Sequence, residues 1–211
     1  MIPTEQEMYK ALAERHGADL QKKISSARVA VCGLGGLGSN IAIALARAGV
    51  GKLHIMDFDR VDISNLNRQQ YSAEQVGIYK TIAMTANLKA INPYCEVIHE
   101  LIKLDEKNIP EILKDDDIIC EAFDNPEAKA VLVNSILENF PEKYIVGGSG
   151  MAGLSSANTI TTRRVMKNFY LCGDGVSEVS DGTGLFSSRV MVCAGHQANM
   201  ILRIIARELN V

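Results

Sequence analysis

The stretch Arg28-Val-Ala-Val-Cys-Gly-Leu-Gly-Gly-Leu-Gly-Ser39 decides the fold of this chain of 211 residues. Its first five residues predict a short buried strand, its glycines predict a tight turn, and the Ala-rich segment 41–48 predicts a helix that ends at Gly49. A second apolar run, Lys52–Met56, predicts the next strand. Together these elements form a βαβ unit, in which the two strands are parallel and the crossover is right-handed.

Strand-like and helix-like segments keep alternating beyond this unit. The periodicity predicts helices at 73–91, 105–114 and 126–139, and strands at 96–99, 117–120 and 144–147. Such alternation is typical of an α/β fold with a doubly wound, Rossmann-like, mostly parallel sheet and helices on both faces. In the C-terminal third, the β-rich runs 156–162 and 169–172 predict added antiparallel strands, and residues 190–209 predict a closing helix.

The chain is predicted to form a single domain. Residues 1–24 make an N-terminal helical arm, with helical periodicity over 5–24, and residues 25–211 make the domain itself. The sequence contains no internal repeat and no segment with the composition of a linker. The Gly-, Asp- and Ser-rich stretch 173–184 predicts a mobile surface loop.

Composition and charge exclude several classes of protein. Hydrophobic residues make up 47% and charged residues 22% of the chain, and the net charge of −3 predicts no general attraction to nucleic acid or membranes. The five cysteines form no CxxC pair, so neither a disulfide framework nor a structural zinc site is expected. No signal-peptide pattern or long apolar window is present, which predicts a soluble, cytoplasmic protein.

The glycine turn predicts a site for an anion. In Gly33-x-Gly35-x-x-Gly38, Gly35 lets the backbone approach a phosphate, Gly38 permits close helix packing, and the helix N-terminus supplies free N–H groups. Gly33 and Gly36 belong to the same turn and are assigned to the same site. A turn with a purely structural role is the alternative, and the motif does not distinguish a dinucleotide from ATP.

Polar residues after the second strand favour ATP. Asp57 ends that strand, where a carboxylate accepts hydrogen bonds from ribose hydroxyls, and this suits NAD and ATP equally. A dense polar loop follows, with Lys80 on the next helix. Arg68 and Lys80 can neutralise a triphosphate and the departing pyrophosphate, and Asn65 can orient phosphate oxygens. Alternatively, Arg68 is a loop arginine paired with a neighbouring aspartate.

A third group of polar residues follows the strand predicted at 117–120. Asp124 lies at the carboxyl edge of the sheet, where it can bind Mg²⁺ against a triphosphate, with water completing the shell. The alternative is a helix N-cap before Pro126, a role that Asp124 or Asn125 can fill. The two roles are compatible if Asp124 holds the metal and Asn125 caps the helix.

These motifs, taken in order, resemble one family. They are Gly-Leu-Gly-Gly-Leu-Gly-Ser at 33–39, Asp-Phe-Asp at 57–59, Ser-Asn-Leu-Asn-Arg-Gln at 64–69, Val-Gly-x-x-Lys at 76–80, Ile-Asn-Pro at 91–93 and Asp-Asn at 124–125. The chain is similar to the ThiF/MoeB adenylyltransferases, prokaryotic relatives of ubiquitin-activating enzymes. Its carboxyl third, with Ser-Gly-Met-Ala-Gly at 149–153, Gly-Asp at 173–174 and Ser-Arg-Val at 188–190, most resembles the short ThiF-like branch of thiamine biosynthesis.

The resemblance implies ATP-dependent adenylation of the C-terminal Gly-Gly carboxylate of a ThiS-like, ubiquitin-fold sulfur-carrier protein, with release of pyrophosphate. It assigns the ATP and Mg²⁺ positions to Gly35, Asp57, Asp59, Asn65, Arg68, Gln69, Lys80 and Asp124. It also implies a homodimer, in which Arg15 of one subunit is the candidate to complete the ATP site of the other. A MoaD-like carrier for molybdenum cofactor, or another sulfur transfer, is an alternative substrate.

The cysteines of the chain differ from those of larger relatives. The zinc-binding CxxC pairs of larger relatives are absent. Cys172 is the candidate for a persulfide or thioester link to the carrier, against the alternative of a core thiol. Two other functions stay open: an NAD-dependent oxidoreductase, and a non-catalytic nucleotide-binding scaffold for a ubiquitin-like partner.

Overall fold

A computed structural model describes residues 2–180 and 182–211. Met1 of the arm and Asp181 of the predicted 173–184 loop lie outside the described residues. Within them the strands are β1 (Arg28–Cys32), β2 (Lys52–Met56), β3 (Glu96–Glu100), β4 (Ile118–Glu121), β5 (Tyr144–Gly148), β6 (Thr161–Met166) and β7 (Phe169–Gly173). The helices are α1 (Glu5–His16), α2 (Ala18–Ser25), α3 (Gly36–Ala48), α4 (Lys80–Ile91), α5 (Ile109–Ile112), α6 (Pro126–Asn139) and α7 (Ser187–Ala206).

The strands form one sheet in the order β3-β2-β1-β4-β5-β7-β6. Each neighbouring pair from β3 to β7 is parallel, and β6 pairs antiparallel with β7 at the edge. The prediction of a doubly wound, Rossmann-like sheet is therefore confirmed. The antiparallel addition is confined to β6, since β7 continues the parallel sheet beside β5. Successive strands are added on one side of β1, as β2 and β3, and then on its other side, starting with β4. Folds of this kind open a crevice at that switch point between β1 and β4.

Helices cover both faces of the sheet. On one face Val29 and Val31 of β1 pack with the apolar sides of α2, α3, α4 and α7. On the other face Ala30 and Cys32 of the same strand pack with α5 and α6. The alternation of β1 side chains between the two cores is the two-residue period of a strand buried on both faces. No helix in the described part of the chain is long and apolar enough to cross a bilayer.

The arm is two helices, not the single helix predicted over 5–24. Gly17, with φ of 86°, breaks the periodicity between α1 and α2. Side chains with bulk at Cβ avoid this backbone conformation, whereas glycine adopts it without steric cost. α2 packs into the core through Ile24, while α1 buries no residue.

Three other predicted elements have different bounds. The helix predicted at 73–91 begins only at Lys80, because residues 76–79 instead pair with the chain near Val61 through two backbone hydrogen bonds of 2.8 Å. The helix predicted at 105–114 is the single turn α5. The strand predicted at 156–162 starts at Thr161, because residues Ala157–Thr159 form a 3-10 turn whose start Ser156 caps.

The turn between β1 and α3 depends on glycine at two positions. Gly33 has φ of 92°, and a Cβ there would lie 3.0 Å from the Ala122 carbonyl oxygen. Gly38 packs directly on the Gly33 carbonyl, so that a Cβ at position 38 would overlap the oxygen. The first turn of α3 can lie against the end of β1 only because neither residue has a side chain.

Gly38→Ala is expected to destabilise the protein, because its methyl group must displace the Gly33 backbone. The expected loss in the free energy of unfolding is about 1–3 kcal/mol, measured by chemical denaturation. Gly35→Ala is the matched control, since its Cβ would meet nothing closer than the Gln69 amide nitrogen at 3.9 Å. Equal stability of the two variants would contradict this account of the turn.

Candidate active site

A cleft of about 720 Å³ opens at the carboxyl edge of the sheet, over the switch point between β1 and β4. Ten of the residues that the sequence assigns to the site line it: Gly33, Gly35, Gly36, Asp57, Asp59, Asn65, Arg68, Gln69, Lys80 and Asp124. Residues from five separate motifs of the sequence therefore meet in one place. Gly38, Arg15 and Cys172 do not line the cleft.

The start of α3 forms the floor of the cleft. Its N-cap residue is Gly35, and no side chain of the described residues caps the free backbone N–H groups of this helix start. Uncapped N–H groups and the positive end of the helix dipole favour an anion at this position. The floor is therefore suited to a phosphate group.

Asp57 holds the glycine turn against the end of β2. It is buried, and its two carboxylate oxygens accept hydrogen bonds from the backbone N–H groups of Leu34 at 2.7 Å and Asp59 at 2.8 Å. Burial raises the pKa of this carboxyl, and the nearby Lys80 ammonium opposes the change. Asp57 thus shapes the site from beneath.

Lys80 is the first residue of α4 and is almost fully buried. Its Nζ lies 2.9 Å from Asp59 Oδ2 and 3.8 Å from Asp57 Oδ2. Asp59 is half exposed, so its carboxylate faces the cleft while it holds the lysine. The cation is therefore kept in place at the wall by two carboxylates, and it remains within the lining of the cleft.

Arg68 lies beside the start of α3, where its Cδ would be 3.5 Å from a Cβ at Gly36. Its Nη1 donates to the Ser64 carbonyl at 3.2 Å and to Asn67 Oδ1 at 2.8 Å, while its Nε is buried without an acceptor in the described chain. Among those residues Arg68 forms no ion pair with Asp59 or with any other carboxylate. A guanidinium without a carboxylate partner at the wall of a cleft is available to an anionic ligand.

Two amide side chains complete this polar wall. Asn65 Oδ1 accepts the Asp62 N–H at 3.0 Å, which fixes the side chain at the start of the loop. Gln69 is buried, and its Oε1 has no partner among the residues described. Both residues therefore present polar groups whose hydrogen-bonding capacity the protein does not fully use.

Asp124 lies on the opposite rim, after β4. It is exposed, and no described residue pairs with it, while the adjacent Asn125 caps α6 by accepting the Ala128 N–H at 2.9 Å. Asn125 is therefore the helix cap, and the role of Asp124 in binding Mg²⁺ stays a prediction. Below the loop, Lys129 Nζ donates to both oxygens of buried Glu121, at 2.7 and 2.8 Å, and supports the segment that carries Asp124.

The other half of the cleft contains a group of apolar side chains that sequence reasoning missed, and its lining also includes the charged residues Lys103, Asp105, Glu106, Lys107 and Glu127. We call it the apolar half. Its apolar residues follow the carboxyl ends of β2, β3 and β4 or lie on the first turns of α6: Phe58, Ile102, Leu104, Phe123, Ala128 and Val131. Lys103 stands 5.9 Å from the centre of the Phe58 ring. The signal that could have found them is position, since parallel strands of this fold place ligands at their carboxyl ends.

Three residues that the sequence assigned lie elsewhere. Gly38 is buried beneath the turn. Arg15 is exposed on α1, a helix that contacts Gly49 at the far end of α3, so within its own chain it lies across the molecule from the cleft. Cys172 is fully buried in β7, beside Thr162, and burial raises the pKa of its thiol to about 11.

The residues described contain no group of three or more His, Cys, Asp or Glu side chains arranged as a metal site. A metal at this cleft would therefore have few protein ligands. Asp124, exposed at the rim, is the carboxylate best placed to serve as one.

Comparison of the sequence with models of known families identifies the family of the chain. A model of the ThiF family matches residues 9–210, nearly the whole chain. The chain belongs to the ThiF family. The ThiF/MoeB resemblance of its motifs is thereby confirmed.

Curated relatives in this family match about two thirds of the chain. The chain is 34% identical over 136 residues to a sulfur carrier protein adenylyltransferase of Thermus thermophilus, covering 64% of the chain and 45% of the relative. It is 41% identical over 133 residues to the probable adenylyltransferase/sulfurtransferase MoeZ of Mycobacterium tuberculosis, covering 62% and 33%. The matched segment thus spans less than half the length of these relatives.

Solved structures of the ThiF fold superpose over a larger share of the chain. The E. coli tRNA N6-threonylcarbamoyladenosine dehydratase TcdA, in complex with ATP, has a TM-score of 0.88 and 20% identity, with 99% of this chain and 98% of that chain covered. E. coli MccB has a TM-score of 0.71 and 20% identity, with 93% and 64% covered. At this identity the likeness establishes the fold.

The native protein is expected to have no fast-reacting thiol, because all five cysteines are buried and their pKa values are raised by burial. Titration with an aromatic disulfide reagent at pH 8 measures this. We expect slow reaction in buffer and five rapid equivalents in guanidinium chloride. One thiol that reacts in the native protein as fast as free cysteine would reveal an accessible nucleophile.

Proposed function

We propose that this ThiF-family protein is a sulfur-carrier adenylyltransferase: it transfers AMP from ATP to the C-terminal Gly-Gly carboxylate of a ThiS-like carrier and releases pyrophosphate. The observation that carries the proposal is the pairing, in one cleft, of an uncapped helix start with Arg68 and Lys80. A bound triphosphate needs that distribution of positive charge. The names of the curated relatives support the same activity.

The two halves of the cleft suit the two ends of ATP. The apolar half, over the carboxyl ends of β2, β3 and β4, takes the adenine base. The ribose hydrogen bonds expected of Asp57 fall to the half-exposed Asp59, because Asp57 is buried and both of its oxygens already accept backbone N–H groups. The phosphates then lie over Gly35 and Gly36, between the Arg68 and Lys80 walls. In this arrangement the α-phosphate is next to the helix start and the pyrophosphate end meets the cations.

The proposed reaction depends on placing the carrier carboxylate at the α-phosphorus and on neutralising the charge of the departing pyrophosphate. The attacking carboxylate is already ionised at neutral pH, so the reaction needs no general base. It displaces pyrophosphate at the α-phosphorus, and the C–O–P bond forms as the P–O bond to pyrophosphate breaks. Arg68 and Lys80 stabilise the negative charge that moves onto the leaving group.

Mg²⁺ fits the proposal through Asp124. One carboxylate, with water and phosphate oxygens as the remaining ligands, is the usual way in which proteins hold this ion on a nucleotide. The exposed Asp124 carboxylate, without a partner among the described residues, can take this role. The ion would neutralise phosphate charge on the side opposite Arg68 and Lys80.

The finer assignments follow the family resemblance. We propose a role in thiamine biosynthesis, with a MoaD-like carrier as the alternative substrate, in a cytoplasmic homodimer of single-domain subunits. Because Arg15 is exposed on α1 and away from the cleft of its own chain, we propose that it completes the nucleotide site of a partner subunit. We propose a packing role for Cys172, since its thiol is buried and away from the cleft.

The rival functions use fewer of the observed groups. An NAD-dependent oxidoreductase would use the glycine turn and Asp57 but would leave Arg68, Lys80 and Asp124 without a task. A non-catalytic scaffold would bind ATP and carrier without releasing pyrophosphate. TcdA superposes over nearly its full length and is named for a different reaction, so sequence relatives rather than the fold favour the sulfur carrier.

Arg68→Ala is expected to lower the rate of carrier-dependent ATP–pyrophosphate exchange by about 100- to 1,000-fold, because it removes one donor to the charge that develops in the transition state. The matched control is Arg60→Ala, whose guanidinium binds the Gly77 carbonyl and stacks on Tyr79 outside the cleft. The control should change the rate by less than about twofold. Exchange is measured with a panel of purified carriers that end in Gly-Gly.

The panel also separates the rivals. Exchange with a ThiS-like carrier and not with a MoaD-like carrier supports the thiamine assignment. Unchanged exchange in Arg68→Ala rejects its catalytic role. ATP binding without exchange for every carrier in the panel favours the scaffold.

A further inference from the structure

Two loops at the carboxyl edge of the sheet are fastened to each other beside the cleft. The first follows β5, from residue 149 to 159, and the second follows β7, over residues 174–180 and 182–186. Backbone hydrogen bonds join them from Asp174 to Gly150 at 2.9 Å and from Gly175 to Ser149 at 3.0 Å. We call this pair the edge loops.

Arg189 of α7 clamps the edge loops from below. It is 3% exposed, and its Nη1 donates to the carbonyls of Ser155 and Ser156, each at 2.6 Å. Its Nη2 donates to Thr159 Oγ1 at 3.2 Å and to Asp174 Oδ2 at 2.5 Å. One buried guanidinium thus holds the first loop at three points and the second loop at one.

Asp174 connects Arg189 to further residues of the second loop through hydrogen bonds. Its Oδ1 accepts the backbone N–H groups of Val176 and Ser177, both at 2.9 Å. Burial alone would raise the pKa of Asp174, but these hydrogen bonds and the one from Arg189 lower the pKa to about 2. The ion pair is therefore fully charged at neutral pH. Removing one partner leaves the other charged group buried without its partner.

The clamped loops supply one wall of the cleft. Met151 comes from the first loop, Leu185 from the second, and Val190 is the next residue of α7 after Arg189; all three line the cleft. Asn67 Nδ2 donates to the Leu185 carbonyl at 3.2 Å, which connects this wall to the loop 64–69 that carries Arg68. The clamp thus fixes the wall while Arg189 itself stays outside the lining.

This wall is close to the glycine turn. A Cβ at Gly36 would lie 3.1 Å from Val190 Cγ1 and 3.5 Å from Arg68 Cδ. Val190 therefore packs against the glycine turn, and the wall directly adjoins the phosphate position. A peptide tail that ends in glycine can approach the phosphate position along this wall with the least steric conflict, because glycine brings no side chain.

The wall is also on the side of the cleft that the nucleoside leaves free. The base and ribose of a nucleotide held at β1 lie towards β2 and β3 in this fold. Met151 follows β5 and Leu185 lies between β7 and α7, so neither comes from the part of the lining that follows β2 and β3. A second substrate must therefore approach along the wall that the edge loops form.

We propose that Arg189 and Asp174 are positioning residues for the carrier tail: their buried ion pair holds the edge loops so that Met151, Leu185 and Val190 guide a glycine-ended peptide to the α-phosphate. The inference rests on the proposed adenylation. Arg189 touches neither substrate, and its effect on the nucleotide half of the cleft is small.

The experiment compares Arg189→Gln with Arg203→Gln, a matched change on the same helix at a pair with Glu208 far from the cleft. Steady-state pyrophosphate release gives KM for the carrier and KM for ATP separately, and thermal shift gives ATP affinity directly. Arg189→Gln should raise KM for the carrier by about 10- to 100-fold and change KM for ATP by less than about threefold. Arg203→Gln should change neither.

Two milder variants keep the test informative if Arg189→Gln does not fold. Asp174→Asn weakens the clamp with little change in shape, and Leu185→Ala alters the wall without touching the clamp. Each should raise KM for the carrier and leave ATP affinity unchanged.

An equal rise in KM for the carrier and in KM for ATP overturns this inference alone. An unchanged KM for the carrier in an active variant overturns it as well. A wild-type protein that binds ATP but releases no pyrophosphate with any carrier rejects the proposed function, and this inference with it.

Discussion

The close contact between the start of α3 and the end of β1 is the constraint on which the site depends. Gly38 rests on the Gly33 carbonyl, and Asp57 pins the same turn to the end of β2 through the Leu34 N–H. This contact places an uncapped helix start at the switch point between β1 and β4, where the strand order changes direction. A bulkier turn would fill the space that a phosphate needs.

The charges around this helix start are fixed by neighbouring groups and so need little reorganisation. Lys80 is held by Asp59 and Asp57, and Arg68 by a backbone carbonyl and an amide, so each cation is placed before a ligand arrives. Fixed charges in a partly buried cleft act more strongly on a transition state than mobile charges in water. A buried charge pair also holds the wall that the edge loops form, where Arg189 and Asp174 join the two loops through an ion pair and hydrogen bonds to both.

Local sequence signals were enough for the fold and for the polar half of the cleft. The glycine turn, the apolar runs and the residues at strand ends predict the sheet, and they place Asp57, Lys80 and Asp124 at one edge. The apolar half was missed because Phe58 and Leu104 carry no motif, and they form a pocket only when the carboxyl ends of β2, β3 and β4 meet. The break at Gly17 and the late start of α4 at Lys80 were missed because long-range backbone pairing and positive φ override helical periodicity.

The central claim is that the α-phosphate of ATP joins the carrier while pyrophosphate leaves. The most direct measurement uses the protein with Mg²⁺, a ThiS-like carrier and ATP labelled at either the α- or the γ-phosphorus. The account predicts that α-label becomes bound to the carrier through an acyl phosphate that hydroxylamine cleaves, and that γ-label appears only in pyrophosphate. Transfer of γ-label to the carrier, or ATP turnover that leaves the carrier unlabelled by α-phosphorus, would contradict it.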